Sequence, residues 1–234
     1  MADDVERGHR ILDRLPDHER ARLASEVEPV EYDAHEVLWE PTQPIEAVYF
    51  PLNGVVSVVN VLEDGPIVEV ATVGNEGFVG LPVFLGSSSM NGRAFYQISG
   101  SALQMSSTSF RRVVANGGSL HSLLQLYTQA LMAQIAQTAA CNRVHPIEER
   151  CARWLLQTHD RVEGDEFDLT HEFLAQMLGV RRASVSVAAG MLQRAGLIRY
   201  SRGHMTIADR TGLEEASCEC YHLMCRTRRE LLGT

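Results

Sequence analysis

The spacing of apolar residues changes along the 234-residue chain, and each change predicts a different kind of structure. Residues 29–106 carry short apolar runs separated by turn-forming Gly, Pro, Asn and Asp residues, which is typical of a sandwich or jelly roll. The clearest hairpin pairs Val55–Val61 with Ile67–Val73 across the turn Glu63-Asp64-Gly65. A helix over residues 5–27, interrupted by a proline, is predicted to precede these strands.

A long helix is predicted from about Ser119 to Ala140, after a short helix over residues 107–117. One row of its side chains alternates four- and three-residue spacing: Leu120, Leu124, Tyr127, Leu131, Gln134 and Thr138. This row is typical of a coiled-coil seam and allows two interpretations, pairing with a second copy of the chain or packing against the preceding β-domain. The helix length and position favour pairing, and residues 141–145 are predicted to form the joint to a second domain.

The stretch from Leu169 to Ala208 predicts a winged helix-turn-helix. Thr170 can cap a short first helix, and Gly179 can form the tight turn that ends it. A second helix is predicted from about Arg181 to Ala195. Residues 197–208 then predict a β-hairpin of the size of a DNA-binding wing.

The net charge of −9 is distributed unevenly along the chain. Residues 1–117 contain 17 acids and 8 arginines, whereas residues 118–234 contain 13 of each. Within the predicted helix-turn-helix, residues 177–210 hold six arginines against a single acid, Asp209. Because an acidic first domain limits nonspecific attraction to DNA, the sequence predicts that phosphates would bind at this local basic surface.

The predicted second helix and hairpin supply side chains of the kinds that contact DNA. The candidate DNA-binding residues are Thr170, Arg181, Arg182, Ala183, Ser184, Ser186, Val187, Arg199 and Arg202. Arginine can hold phosphate or guanine through two hydrogen bonds, and serine can bond either a phosphate or a base. Ala183 and Val187 suit thymine methyl groups because they are small and apolar. Arg182 is expected to contact bases, while Arg199 and Arg202 are expected to contact phosphates.

The sequence contains no motif that predicts catalysis. None of the nine histidines lies between residues 36 and 120, which argues against a metal-dependent enzyme built on the β-domain. A Gly-x-Ser-x-Gly elbow and a phosphate loop are also absent, so we expect no enzyme activity. The five cysteines are expected to be reduced thiols. The tail Cys218-Glu219-Cys220-Tyr221-His222-x-x-Cys225 allows a metal or redox interpretation, but packing of small thiols is favoured. On a helix Cys218 and Cys225 share a face while Cys220 points elsewhere, and zinc ligand pairs are usually separated by about two to four residues.

Taken in order, these elements resemble the CRP/FNR superfamily of bacterial transcription regulators. In the first domain the resemblance rests on Glu36–Leu38, Val48–Pro51, Gly54–Ser57 and Glu76–Gly80. In the second it rests on Glu149-Arg150, Ala152–Leu156, Leu169–Ala175 and Gly179–Leu197. The resemblance implies an α+β protein with three parts. These are a cyclic-nucleotide-binding-like β-roll (jelly-roll-like) sensor domain over residues 1–117, a dimerisation helix and hinge over 118–142, and a winged helix-turn-helix domain with a C-terminal tail over 143–234.

The resemblance is incomplete at the positions that bind cyclic AMP in some members. Those members use Gly-Glu-Leu followed by Arg-Ser or Arg-Thr, whereas the matching residues here are Gly80, Leu81, Arg93 and Ala94. Leu81 cannot accept a hydrogen bond from a ribose hydroxyl, although Arg93 could meet an anion. These four residues mark a possible ligand pocket that is not expected to take a cyclic nucleotide. No cofactor is expected, because the chain has no cysteine before Cys141 for an iron–sulfur cluster and the predicted barrel lacks a His or Cys to serve as an axial haem ligand.

The implied function is a homodimeric regulator that reads palindromic double-stranded DNA through the helix starting near Arg181, while its β-roll senses an unknown signal. Cyclic-AMP-type activators direct Arg, Glu and Arg to bases; only the first is kept here, at Arg182, so a different operator is expected. RNA polymerase is the expected protein partner.

A second interpretation of the same pattern stays open at this point. It is a ligand-binding β-roll protein whose C-terminal domain mediates protein contacts rather than DNA binding. Under either interpretation we expect a cytoplasmic protein without a membrane partner. The reason is that the chain starts with charged residues and contains no apolar run of membrane-spanning length.

The C-terminal domain is also predicted to contain a polar loop over residues 160–168.

Overall fold

The computed structural model describes residues 8–63, 67–115 and 117–233. The first domain is a roll of two antiparallel sheets. The strands are β1 (Glu28–Tyr32), β2 (Val37–Trp39), β3 (Ala47–Pro51), β4 (Val55–Val61), β5 (Ile67–Val73), β6 (Gly92–Ile98) and β7 (Gly100–Ser106). One sheet has the order β1-β7-β3 and the other the order β2-β6-β4-β5. The predicted hairpin of β4 and β5 is confirmed, and its predicted turn lies partly outside the described residues.

Helices flank the strands of the roll. They are a 3-10 turn (Leu12–Arg14), α1 (Asp17–Ala24), α2 (Leu81–Phe84), α3 (Ser107–Val114) and α4 (Ser119–Val144). Within the described residues, the helix predicted over 5–27 is two short helices separated at Pro16, because proline lacks the N–H that a continuous helix needs; residues 5–7 lie outside the described chain. The helix predicted over 107–117 ends at Val114, ahead of Gly117 and Gly118, whose φ angles of +75° and +104° favour glycine.

Aromatic side chains fill the interior of the roll. The ring of Phe78 packs against those of Phe50 and Phe110, with centroids 5.1 and 5.0 Å apart. Tyr32 stacks on Tyr96 with a centroid separation of 4.9 Å. Such pairs add about 0.5–1.5 kcal/mol beyond the burial of their area. The two sheets and α3 therefore share one core, which also holds the side of α4 that faces the roll.

The apolar row of α4 packs against its own β-roll. Leu120, Leu124, Tyr127 and Leu131 are all buried, and they belong to the same core as the aromatic residues of the sheets. Further along the row, the side-chain amide of Gln134 donates to the carbonyl oxygen of Thr72 on β5 at 3.2 Å. The interpretation of this row as a seam between two copies is therefore wrong, because its side chains are already covered within one chain.

The break between the long helix and the second domain lies at His145-Pro146. The predicted joint at 141–145 begins too early, because α4 continues through Cys141 to Val144. His145 then adopts an extended backbone with φ −92° and ψ +147°, the conformation preferred by a residue that precedes proline. Pro146 caps the next helix, so the predicted boundary at 142 falls inside α4.

The second domain is a helical bundle with a small sheet. Its elements are α5 (Ile147–His159), β8 (Glu166–Asp168), α6 (His171–Leu178), α7 (Arg182–Arg194), β9 (Ile198–Ser201), β10 (His204–Ile207), α8 (Arg210–Glu215) and α9 (Cys220–Leu232). The sheet has the order β8-β10-β9. The loop predicted over 160–168 is therefore wrong at its end, where β8 pairs with β10 and buries Phe167 opposite Met205. Short polar strands such as β8 are recognised only through their pairing.

The C-terminal cysteines are arranged differently from the prediction. Cys218 lies in the turn between α8 and α9, so helical periodicity does not relate it to Cys225 and the two do not share a helix face. Cys218 and Cys220 are instead buried beside Cys141 from the end of α4, in a small cluster separate from both main cores. Cys225 lies on α9 and is only partly buried.

A buried ion pair joins the roll to the second domain. Two guanidinium nitrogens of Arg161, which follows α5, lie 2.8 and 2.6 Å from Oε1 of Glu76, which follows β5. Both side chains are buried. Burial alone would raise the pKa of Glu76, but the positive charges of Arg161 and Arg228 lower this pKa to about 2. The pair therefore stays charged at neutral pH and fixes α5 against the roll.

A second buried carboxyl group lies at the same junction. Oε2 of Glu69 on β5 accepts a hydrogen bond from the indole N–H of Trp154 on α5 at 2.7 Å. Its Oε1 accepts from the Ser57 hydroxyl at 2.7 Å. Burial raises the pKa of Glu69 to about 7, although these hydrogen bonds act in the opposite direction. Glu69 therefore titrates near neutral pH in the folded protein.

Glu69 predicts a loss of stability as the pH rises from 4.5, its ordinary pKa, towards 7. Because the folded state holds this proton more tightly than the unfolded chain, the free energy of unfolding falls in this window by at most about 1.4 kcal/mol per pH unit. Glu69→Gln removes the titration and keeps an acceptor for the indole. We therefore expect the Tm of the wild type to fall relative to that of the variant, measured by circular dichroism across this pH range.

The matched control is Glu31→Gln, which changes an exposed carboxylate of β1. Its Tm should follow the wild type at every pH. The Glu76–Arg161 pair does not interfere, because the stability that it contributes is present above 4.5 and is lost only as the pH falls towards about 2. A Tm difference between Glu69→Gln and wild type that does not change with pH would contradict the assignment.

Candidate nucleic-acid interface

The turn between α6 and α7 is built by local sequence signals. The Thr170 hydroxyl oxygen caps α6 by accepting a hydrogen bond from the backbone N–H of Phe173 at 3.1 Å. Gly179 ends the helix in the left-handed conformation, with φ +63° and ψ +40°. The backbone N–H of Val180 donates back to the carbonyl of Ala175 at 2.9 Å. The chain then enters α7 one residue later than predicted, at Arg182.

Helix α7 has one buried and one exposed face. Val185, Ala188, Ala189 and Leu192 point inward and join the core of the second domain. The candidate residues Arg181, Arg182, Ala183, Ser186 and Val187 are exposed, and Ser184 is partly buried. Val187 is 63% exposed although it is apolar. The structure therefore presents these candidate residues together on one outward surface.

The beginning of α7 offers unpaired backbone donors. Arg181 precedes the helix and makes no side-chain capping hydrogen bond, unlike Thr170 at the start of α6. The first N–H groups of a helix have no partner within the helix and carry a partial positive charge. An anionic group such as a phosphate can occupy this position.

The predicted wing is confirmed as the hairpin of β9 and β10. Its two-residue turn is Arg202-Gly203, with φ angles of +51° and +86°, so the strands extend one residue further towards the tip than predicted. A non-glycine residue with positive φ at such a turn places its side chain at the exposed tip. Arg199 on β9 is also exposed. Both wing arginines therefore face solvent.

Acidic side chains from neighbouring elements modify the basic surface. Arg182 Nε lies 3.9 Å from Oε2 of Glu172, and both groups are largely exposed, so this pair contributes little energy. On the wing, His204 hydrogen-bonds Asp168 at 3.0 Å and Glu166 at 3.2 Å. These hydrogen bonds raise the pKa of His204, which favours a positive charge beside the tip. Sequence reasoning missed these carboxylates because they lie on α6 and β8.

Three further residues define the surface and were not predicted. His171 Nδ1 is 3.0 Å from the Ser186 hydroxyl, and its ring stacks on Tyr200 with centroids 4.1 Å apart. Burial and then the charge of Arg182 lower the pKa of His171. Met191 is exposed one helical turn beyond Val187, a spacing that could have been noticed in the sequence. The outward face of α7 therefore continues as an apolar strip.

Arg210 does not belong to the basic surface, although its sequence position placed it among the six arginines. One of its guanidinium nitrogens lies 2.6 Å from Oδ1 of Asp160, and another lies 3.0 Å from Oε1 of Glu214. The Tyr221 hydroxyl is also within hydrogen-bonding distance, at 2.7 Å. Arg210 therefore holds α8 and α9 to the end of α5.

The four residues of the predicted ligand pocket lie on two elements. Arg93 and Ala94 are on β6 and face opposite sides of the sheet, while Gly80 and Leu81 are at the start of α2. Ala94 on β6 is buried in the core of the roll, while Arg93 beside it points to the opposite face, as strand geometry requires. Arg93 Nε donates to Oε2 of Glu40 at 2.8 Å. Gly80, with φ +132°, caps α2, and the partly buried Leu81 begins that helix. The arginine that could meet an anion is thus already paired with a carboxylate.

Residues able to hold a metal gather elsewhere, at the junction of α4 with the α8–α9 turn. They are Cys141, His145, Cys218 and Cys220.

Within the described residues, no helix combines the length and apolar character needed to cross a membrane.

Comparison with known families agrees with this architecture. The cyclic nucleotide-binding domain family matches residues 29–116, and the Crp-like helix-turn-helix domain family matches residues 149–216. The two matches together cover about two thirds of the chain. They correspond to the β-roll and to the domain that carries α7 and the wing. No curated protein matches the sequence.

Solved structures share the fold at low sequence identity. FixK2 from Bradyrhizobium japonicum superposes with a TM-score of 0.69 at 19% identity, covering 82% of this chain and 98% of its own. A putative Crp/Fnr-family regulator from Eubacterium rectale gives 0.69 at 13% identity, with coverages of 88% and 96%. A CRP-family regulator from Thermus thermophilus gives 0.65 at 19%, with coverages of 80% and 96%. With both domain families matched in this order, the chain belongs to the CRP/FNR superfamily of transcription regulators.

Proposed function

We propose that the protein is a homodimeric transcription regulator that binds a palindromic DNA operator through α7 and its wing. The observation that carries this proposal is the outward face of α7, where exposed Val187 and Met191 continue from Arg181 and Arg182. The two apolar side chains lie one helical turn apart on the outward face of α7, and they suit the methyl groups and base edges of a major groove. The arginine-tipped wing lies beside this helix and suits adjacent phosphates.

The proposed contacts divide into base readout and backbone positioning. Arg182 would read a base, with Ala183 and Val187 against thymine methyl groups. Arg181, Ser184 and the first N–H groups of α7 would hold a phosphate. Ser186 is already bonded to His171, so its hydroxyl would reach DNA in a fixed orientation. Thr170, Arg199 and Arg202 would bind phosphates on either side of the groove.

Dimerisation would use the outer face of α4 rather than the row predicted from the sequence. The exposed residues of its C-terminal half include Met132, Ile135, Ala136, Ala139 and Ala140. These residues recur at separations of three and four positions and therefore share one side of the helix, which suits close packing of two helices. The stripe ends near the His145-Pro146 break, so a dimer formed there would hold both helix-turn-helix units at fixed positions. RNA polymerase would be the partner of the DNA-bound dimer.

The β-roll would respond to a signal other than a cyclic nucleotide. Leu81 stands where a ribose would need an acceptor, and Arg93 is paired with Glu40. Burying a polar ligand beside these side chains would leave hydrogen-bonding groups unpaired, at about 1–3 kcal/mol each. The junction formed by Glu69 and Glu76 connects the roll to α5, and we propose that it transmits the signal.

Arg182 and Arg202 predict different losses of DNA binding. Arg182→Ala should cost about 1–3 kcal/mol and relax the preference at one base position, because it removes a base contact. Arg202→Ala should weaken all sequences equally and lower the slope of log K against log salt by about 1, because it removes a phosphate contact. The measurement is selection of bound duplexes from a random pool, followed by fluorescence anisotropy at several salt concentrations.

The control for both variants is Arg22→Ala, which removes an equal charge from an exposed site on α1 in the other domain. It should bind the selected duplex like the wild type. If Arg202→Ala changed the preference at a single base, the assignment of the wing to phosphates would be wrong. If the wild type bound no duplex at low salt, the alternative in which the second domain contacts proteins would be favoured.

The outer face of α4 predicts that a charge there prevents dimerisation. Met132→Arg places a cation at an apolar position that is 63% exposed, and two copies would bring these charges together. We expect a monomer by analytical ultracentrifugation and weak binding to the full palindrome. Leu85→Arg adds the same charge at a position that is 65% exposed on the β-roll and should stay dimeric. Equal sedimentation of both variants and the wild type would contradict this interface.

A further inference from the structure

Two pairs of potential metal ligands from distant parts of the chain meet at the end of α4. Cys141 and His145 lie one helical turn apart, at the point where α4 ends. Cys218 and Cys220 flank Glu219 in the turn that leads into α9. The four ligand atoms all lie within 4.8 Å of one another. The three cysteines are buried, and the imidazole is partly buried. We propose that these residues form a Cys3His site for a thiolate-preferring divalent ion, Zn2+.

Two separations between ligand atoms are close to those of a tetrahedral zinc site, and the others are at most 4.8 Å. Zn–S bonds of about 2.3 Å and Zn–N bonds of about 2.0–2.1 Å place neighbouring ligand atoms roughly 3.5–3.8 Å apart. Here the sulfurs of Cys141 and Cys218 are 3.5 Å apart, and Cys220 Sγ is 3.5 Å from His145 Nδ1. Four protein ligands complete the coordination of zinc, which is typical of a structural site rather than a catalytic one.

Neighbouring side chains orient the ligands in the way that metal sites require. His145 presents Nδ1 to the cysteines, while its Nε2 lies 3.1 Å from Oε2 of Glu219. A carboxylate on the far nitrogen of an imidazole fixes its tautomer and raises its strength as a ligand. The side-chain amide of Gln137 donates to Cys220 Sγ at 3.0 Å. Both outer contacts therefore support ligation by thiolate and by Nδ1.

The ligand types and their separations favour Zn2+ over a hard cation, an iron–sulfur cluster or a disulfide. Three thiolates and an imidazole suit zinc and exclude the hard cations Mg2+ and Ca2+, which take oxygen ligands. Cysteines on different irons of an iron–sulfur cluster would lie farther apart than the 4.8 Å observed. A disulfide between Cys141 and Cys218 would need an S–S separation of about 2.05 Å and would leave Cys220, His145 and Glu219 without a role.

The proposed ion would join the second domain to α4 beside the break between the two. It would tie the start of α9 to the last turn of α4, immediately before the His145-Pro146 break. Binding would convert three S–H groups to thiolates and release their protons to solvent. The zinc site is inferred from the geometry of its ligands and does not require that the protein binds DNA. Only an effect of the bound ion on operator affinity would rest on the proposed function. Metal content is therefore measured separately from DNA binding.

The test uses the full chain without a polyhistidine tag, purified under reducing conditions from zinc-containing medium. Elemental analysis should find about one Zn2+ per protomer in the wild type and in Cys225→Ser, whose thiol is on α9 but outside the site. Cys218→Ser should lose the metal. Titration of demetallated wild type with Co2+ should give thiolate charge-transfer and tetrahedral ligand-field absorption.

A second variant keeps the proposal falsifiable if Cys218→Ser fails to fold. Glu219→Gln changes an exposed side chain and should retain one ion, with an affinity about 10–100-fold lower in chelator competition. The proposal is overturned if wild type carries no more zinc than Cys218→Ser, or if Co2+ gives no thiolate absorption. It is also overturned if the purified protein shows an iron–sulfur chromophore, or a Cys141–Cys218 disulfide by mass spectrometry under reducing conditions.

Discussion

The structure depends on the burial of one face of α4 against the β-roll. Leu120, Leu124, Tyr127 and Leu131 join the aromatic core of the sheets, and each buried side chain of this size contributes about 1.5–3 kcal/mol. Because this face is covered within one chain, the opposite face is the surface left for a second copy. The helix thus sets both the position of the roll and the proposed axis along which two DNA-binding domains are held.

Contacts made by β5 and the residues that follow it determine where the second domain lies. The Glu76–Arg161 pair and the Glu69–Trp154 hydrogen bond are both buried, and both join residues of or next to β5 to residues of or next to α5. A buried ion pair such as Glu76–Arg161 holds a defined geometry, because removing one partner leaves the other charge unpaired at a cost of about 3–5 kcal/mol. The cysteine cluster fixes α9 at a different end of the same domain. A displacement of β5 would therefore shift α5 directly. It would also reach α7, because α5 and α7 share the core of the second domain.

Local signals in the sequence were sufficient for the order of the elements and for the helix-turn-helix. Thr170 acts through a side-chain hydrogen bond to a residue three positions away, and Gly179 and the Arg202-Gly203 turn act through their own backbone. Their effects can therefore be predicted from neighbouring residues. The row on α4 was assigned to the wrong partner because heptad spacing shows which residues are buried but not what covers them. The sequence suggested a metal or redox role only for the cysteines of the tail. The full proposed ligand set could not be predicted, because Cys141 and His145 meet Cys218 and Cys220 only after the chain folds. Glu166 and Asp168 were missed at the wing for the same reason.

The central claim is that two α7 helices, held by paired α4 helices, enter successive turns of one face of DNA. The most direct measurement is the spacing of half-sites in duplexes selected by the wild-type protein, mapped at single-nucleotide resolution by hydroxyl-radical footprinting. The account predicts two inverted half-sites with centres about 10–10.5 base pairs, or one helical turn, apart. A single protected half-site, or half-sites bound equally well at every spacing, would contradict it.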